Sequence, residues 1–175
     1  MVRTALLHRV LERSGTLTGM ELTAARQLAR DLMQRHGVGD WGFAFDRAKR
    51  RLGSCRYAQR TLTLSGPLTR LNDESVVRDT ILHEIAHART PGAAHGPRWR
   101  AEALRLGAAP RPCVAAGELS VPPAPYALVC DGCGARLPRY RRPRRRFVCR
   151  SCFERHRRGL GPRPQPLRVV GTSRR

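Results

Sequence analysis

Two sets of residues in this chain have the types and spacing for chemistry. The first is HEIAH, His83 to His87. On a helix, positions i and i+4 lie on one face about one turn apart, so His83 and His87 can share one Zn²⁺. Glu84 stands beside them, where a carboxylate can act as general base on water. A catalytic zinc takes three protein ligands and keeps one position open. Two residues downstream can complete the set. His95 follows His87 across the Pro91-Gly92 turn, and Glu102 lies on the next expected helix. His95 is the preferred third ligand, because the turn can fold the chain back before Gly96-Pro97 starts a new helix. The bland alternative is an amphipathic helix with incidental histidines. Burying two His and a Glu without a metal is costly, which weighs against it.

The second set is CDGC and CRSC. Cys130 and Cys133 form one knuckle, Cys149 and Cys152 the other, with 15 residues between them. That spacing suits a four-cysteine zinc site. Four protein ligands leave no open position, so this zinc is structural. Two disulfides are the alternative, disfavoured in a cytosolic protein. Between the knuckles, seven Arg flank two aromatics. Arg139, Arg141, Arg142, Arg144, Arg145 and Arg146 are placed to meet phosphates, and Tyr140 and Phe147 to stack on unpaired bases. A solvated charged hairpin is the plain alternative.

Charge favours nucleic acid. The 175 residues carry 34 basic and 13 acidic side chains, net +21. Residues 125–175 hold 15 basic and 2 acidic residues, net +13. Such a surplus points to an anionic polymer, bound without sequence preference and with steep salt dependence. No apolar run suits a membrane span, and the N-terminus lacks the apolar core of a secretory signal. The reading is a cytoplasmic monomer without membrane contact, compatible with association with the nucleoid. DNA is preferred over RNA as its partner, beside protein substrates.

The elements that must position these residues follow from periodicity. Leu6, Leu7, Val10 and Leu11 predict a first helix, stopped at Ser14-Gly15. Thr18 and Glu21 have capping-box spacing for a second, whose buried face is Leu22, Ala25, Leu28, Ala29, Leu32 and Met33, with Gly37 as its stop. His8 and His36 read as surface or helix-end residues. Trp41, Phe43 and Phe45 alternate as a strand, as do Leu62 and Leu64. Lys49 to Tyr57 can form a strand between them, with Gly53 at a bulge or tight approach. A small antiparallel sheet of about three strands is expected. Asn72 is a candidate N-cap for a helix running to Thr90, and Pro97 opens another that ends before Gly107.

The quoted residues carry a resemblance. HEIAHARTPGAAHGPRW is similar to the motif of the SprT-like, Spartan-type zinc metallopeptidases, in which HExxH is followed by His-Gly-Pro-x-aromatic. RLGSCRY, RTLTLS, DTILHEIAHA and LGAAPRPC fit the same family, and the resemblance spans about residues 18–152. It implies an α+β, zincin-like fold with helices on a small sheet, and a C-terminal zinc ribbon. It implies zinc held by His83, His87 and His95, with Glu84 as the catalytic carboxylate. It also connects the chain to cleavage of proteins crosslinked to DNA. The expected organisation is a metallopeptidase domain over 1–113, a linker over 114–125, a ribbon over 126–153 and an unstructured basic tail over 154–175. Two Zn²⁺ are expected, one catalytic and one structural.

Peptide hydrolysis also needs a partner for the oxyanion. Tyr57, Arg89 and Arg98 are candidates. Trp99 is expected to pack under the site, and Cys55 and Cys113 to be structural thiols. A non-catalytic, zinc-containing nucleic-acid adaptor is the alternative reading of the whole chain.

Overall fold

The computed structural model describes residues 19–112 and 119–171. The chain divides into two units, Met1–Pro122 and Pro123–Arg175.

In the first unit, helix α1 (Leu22–Arg35) buries Ala25, Ala29, Leu32 and Met33, the apolar stripe of its sequence. It starts later than the capping-box spacing predicts: Glu21 is its N-cap and makes no side-chain cap bond. Gly37, at φ +72°, ends it, a left-handed conformation that glycine adopts without steric cost. Thr18, His8 and the helix expected around Leu6 to Leu11 lie outside the described residues.

Strands β1 (Gly42–Asp46), β2 (Gly53–Arg56) and β3 (Thr61–Ser65) form one sheet in the order β1-β3-β2. The β2–β3 pair is antiparallel, closed by a short 3-10 turn over Tyr57–Gln59. The β1–β3 pair is parallel, which corrects the expected all-antiparallel sheet. The reason is topological. The chain reverses twice between β1 and β3, and the β2–β3 hairpin places β3 in the middle. β2 is left as an edge strand.

A short helix, α2 (Gly66–Thr69), leads to α3 (Glu74–Arg89), which carries HEIAH. Asp73, not Asn72, is the N-cap, accepting from the Val76 N–H at 3.0 Å. Asn72 is buried instead. Its amide donates to the Leu68 carbonyl at 2.7 Å and the Ser120 carbonyl at 2.8 Å, and its oxygen accepts from Ser120 N–H at 2.8 Å. This clamp, with Leu119 packed on the core, ties residues expected in the linker to the first unit. The unit therefore runs to Pro122. Helix α4 (Pro97–Leu106) ends at Gly107, as its sequence predicts.

Three stripes of α3 face three surroundings, because residues three or four apart share a face. Val77, Ile81 and Ile85 are 0–2 % exposed and enter the core with α1. Thr80 and Glu84 face β2 at Gly53. His83 and His87 form the third stripe.

In the second unit, β4 (Tyr126–Val129), β5 (Arg136–Arg139) and β6 (Arg168–Gly171) form an antiparallel sheet in the order β5-β4-β6. Helix α5 (Arg150–Arg157) follows the second cysteine knuckle. Residues 154–171 thus correct the expectation of an unstructured tail. Leu128 has only a few apolar partners here, and Leu167 from the tail is one of them. Pairing β6 with β4 satisfies that edge.

Asn72→Ala should lower the unfolding free energy by about 1–3 kcal/mol, because the half-buried Ser120 amide loses its acceptor and the Leu68 and Ser120 carbonyls lose a donor. Denaturant melts of the zinc-loaded protein check this.

Candidate active site and metal centres

The Nε2 atoms of His83, His87 and His95 lie 3.0–3.2 Å from one another. A tetrahedral zinc with bonds of ~2.0–2.1 Å needs nitrogens about 3.3–3.4 Å apart, so the triad fits the ion closely. The i, i+4 spacing on α3 aligns the first two. The third arrives through the turn from Thr90 to Gly96. Gly92 there has φ +76°, and Ala94, directly before His95, has φ +44°. A left-handed alanine is a strained conformation that persists where neighbours enforce it, and here it aims His95.

Trp99 is fully buried beneath the triad. Its ring centroid lies 4.7 Å from that of His83, 5.2 Å from His87 and 4.6 Å from His95. The indole is the floor that the sequence predicts, and it stiffens all three ligands at once. Burial, then mutual repulsion, holds His83 and His87 down to about 4. Both imidazoles are therefore neutral near pH 7, the form that binds metal.

Glu84 is 8 % exposed. Burial pushes its carboxyl up to about 7, opposed by the Arg51 charge and by a hydrogen bond from the Cys55 backbone N–H. Gly53 makes this fit possible, since a Cβ there would lie 2.8 Å from the Glu84 side chain and 2.6 Å from Thr80. The tight approach expected at Gly53 is thus to the candidate base itself. Arg51 and the Cys55 backbone went unread in the sequence. The segment was legible as a strand, but its partner lies about 30 residues on.

Glu102 is not the third ligand. Arg89 and Arg105 both pair with it, Arg105 through Nε at 2.9 Å and Nη2 at 2.7 Å. Arg89 also donates to the His36 carbonyl at 2.6 Å. This network joins the ends of α1 and α3 to α4. Hydrogen bonds from Arg105, then Arg89, hold the Glu102 carboxyl down to about 2 against the opposing effect of burial.

The triad and Glu84 open on a cleft of about 510 Å³, also lined by β2, Tyr57, Gly92 and Ala94. Arg98 is exposed and does not line it. Cys55 is half-buried, its thiol pushed up to about 12 first by burial, then by Glu84. Cys113 lies outside the described residues.

In the second unit the four sulfurs of Cys130, Cys133, Cys149 and Cys152 lie within 4.8 Å of one another. The pairs Cys130–Cys152 and Cys133–Cys149 are 3.7 and 3.6 Å apart. Zinc with ~2.3 Å bonds needs about 3.8 Å, whereas a disulfide needs about 2.05 Å, so the donors fit a metal and not two bridges. The Cys152 backbone N–H leads in drawing the Cys149 thiol down to about 7.

Arg141, Arg142, Arg144, Arg145, Arg146 and Phe147 are exposed, while Arg139 and Tyr140 are half-buried. Among the described residues none of those five exposed arginines has an acidic partner, so they carry uncompensated charge. Phe153 on α5, 44 % exposed, is a further aromatic that the sequence reading passed over.

Two outcomes follow from these centres. The purified chain should bind two zinc per molecule by atomic emission, and Cys149→Ser should bind one. Glu102→Gln should melt at lower temperature than wild type above about pH 4.5, the ordinary value for this carboxyl. Because the folded-state value is depressed, that gap should close as pH falls toward 2. Paired thermal melts across that range of pH check it.

A model of the SprT-like family matches residues 23–118. No curated protein matches the chain. Among solved structures, the crystal structure of the metallopeptidase zymogen of Methanocaldococcus jannaschii jannalysin is similar at 19 % identity and a TM-score of 0.41. It covers 45 % of this chain and 76 % of that one. The family match spans more than half of the sequence and holds α3, the triad of His83, His87 and His95, and Glu84: the chain belongs to the SprT-like family.

Proposed function

We propose that this chain is a zinc-dependent endopeptidase that its ribbon module brings to DNA-associated proteins, including proteins crosslinked to DNA. The observation that carries the reading is a buried carboxylate, Glu84, opening on the same cleft as three converging imidazoles. A purely structural metal site has no use for that carboxylate, and burying it costs stability. This disfavours the adaptor alternative.

A bound zinc would polarise the scissile carbonyl and bring the pKa of water toward neutrality. The rest is the work of this chain's own side chains. His83, His87 and His95 would hold the ion in their neutral form. Glu84, raised to about 7, is matched to take a proton from water and return it to the leaving amine. The Cys55 N–H keeps that carboxylate oriented. The outer edge of β2 has no strand partner among the described residues, and an extended peptide can pair with it beside Glu84. Trp99 closes the floor to water.

The nucleic-acid part rests on charge and exposure. Arg141, Arg142, Arg144, Arg145 and Arg146 would neutralise phosphates, and Phe147 offers a face for stacking. The module has few apolar partners of its own, so the second zinc would hold its shape.

The test is cleavage of a basic DNA-binding protein by the zinc-loaded chain with no DNA, single-stranded DNA or duplex DNA. Cleavage should rise with DNA and fall off as salt increases. Glu84→Gln should lower turnover by about 10²–10⁴-fold while keeping zinc and DNA affinity. Intact zinc and DNA binding with no cleavage in any arm would favour the adaptor.

A further inference from the structure

Peptide hydrolysis places negative charge on the former carbonyl oxygen, and a preoriented donor beside that oxygen speeds the reaction. Arg89, one candidate for the role, is occupied by Glu102 and the His36 carbonyl. Arg98 is absent from the walls of the cleft. Along β2, Gly53 and Cys55 are the positions turned to Glu84. Ser54 lines the cleft as well, between those two positions on β2. The Cys55 thiol is a weak donor.

Tyr57 remains. It opens the 3-10 turn directly after β2 and lines the cleft with Glu84 and the three histidines. Its hydroxyl donates to the His87 carbonyl at 3.0 Å, at the end of the metal-ligand helix. Its ring meets Trp41 edge-on at 6.3 Å, which steadies the ring. The residue is 41 % exposed, so the bond to His87 is open to exchange.

We propose that Tyr57 is a catalytic residue. Its hydroxyl leaves the His87 carbonyl and donates a hydrogen bond to the oxyanion of the tetrahedral intermediate. The inference rests on the peptidase reading. No bond other than hydrogen bonds changes at the phenol, and it stays protonated throughout. A peptide paired with β2 runs past Tyr57, so the donor sits beside the strand that would hold the substrate.

Tyr57→Phe removes one oxygen and keeps the ring against Trp41. The zinc-loaded full chain and this variant are compared in three ways. On a basic DNA-binding protein with DNA present, kcat should fall about 10²–10³-fold, with KM within about threefold. A phosphinic pseudo-hexapeptide, which mimics the tetrahedral anion, should bind the variant more weakly by a similar factor in calorimetry. The amide hexapeptide of the same side chains is measured in the Glu84→Gln background, so that it is not cut. Its affinity should be the same with and without Tyr57→Phe. Zinc content and melting temperature should not change.

Equal phosphinate affinity in the two proteins overturns the proposal, whatever happens to kcat. So does a fall in kcat that tracks lost zinc or a lower melting temperature, which would make Tyr57 an anchor for His87. If the wild-type chain cuts nothing, the peptidase reading falls on that arm. The ratio of phosphinate affinities then still decides where the phenol acts.

Discussion

Three imidazole nitrogens within 3.2 Å of one another set the terms for the first unit. Three polar rings in such contact are costly unless an ion satisfies them and rigid neighbours hold them. The i, i+4 pair needs only a helix, but His95 needs much more. The turn from Thr90 must reverse the chain, Ala94 must accept a left-handed backbone, and Trp99 must back all three rings. The Arg89–Glu102–Arg105 network then fixes α4 against α3, and the bond from Arg89 to His36 brings in α1. Much of the scaffold around the triad thus serves one requirement.

Glu84 shows the same dependence at one residue's remove. A carboxylate on the flank of the metal-ligand helix is buried against β2, where a glycine lets it fit. Burial raises its proton affinity, and the Cys55 N–H and Arg51 stop that rise at about 7. Stability is given up for a group with the proton affinity the proposed chemistry needs. The sheet is small, yet its edge strand supplies a backbone donor and one wall of the cleft.

The second unit solves a different problem. A module with so few buried apolar residues cannot fold on hydrophobic contact alone. Four cysteine sulfurs converge within 4.8 Å, where a bound metal would supply the missing cohesion, and β6 from the C-terminal segment covers the edge of β4. Between the knuckles, β5 pairs with β4 and the residues from Arg141 to Arg146 follow it outside the strand. Arg141, Arg142, Arg144, Arg145 and Arg146 are exposed there and have no acidic partner among the described residues.

The local patterns were legible in the sequence because they are short-range. The HEIAH spacing puts two imidazoles and a carboxylate on one helix, the paired C-x2-C knuckles bring four sulfurs together, and Gly37 and Gly107 mark two helix ends. His95 was readable as the better of two choices, from the Pro91-Gly92 turn before it and from the His-Gly-Pro-x-aromatic resemblance. What tertiary structure decided is where distant groups meet: Arg89 and Arg105 claiming Glu102, Gly53 and Cys55 closing on Glu84, Asn72 clamping Ser120, and β1 running parallel to β3. Composition also misread the C-terminal segment as unstructured, because an Arg- and Pro-rich strand gains its order from the sheet edge it covers. Periodicity and ligand spacing are properties of neighbours along the chain, whereas burial, pairing and strand order depend on residues tens of positions away.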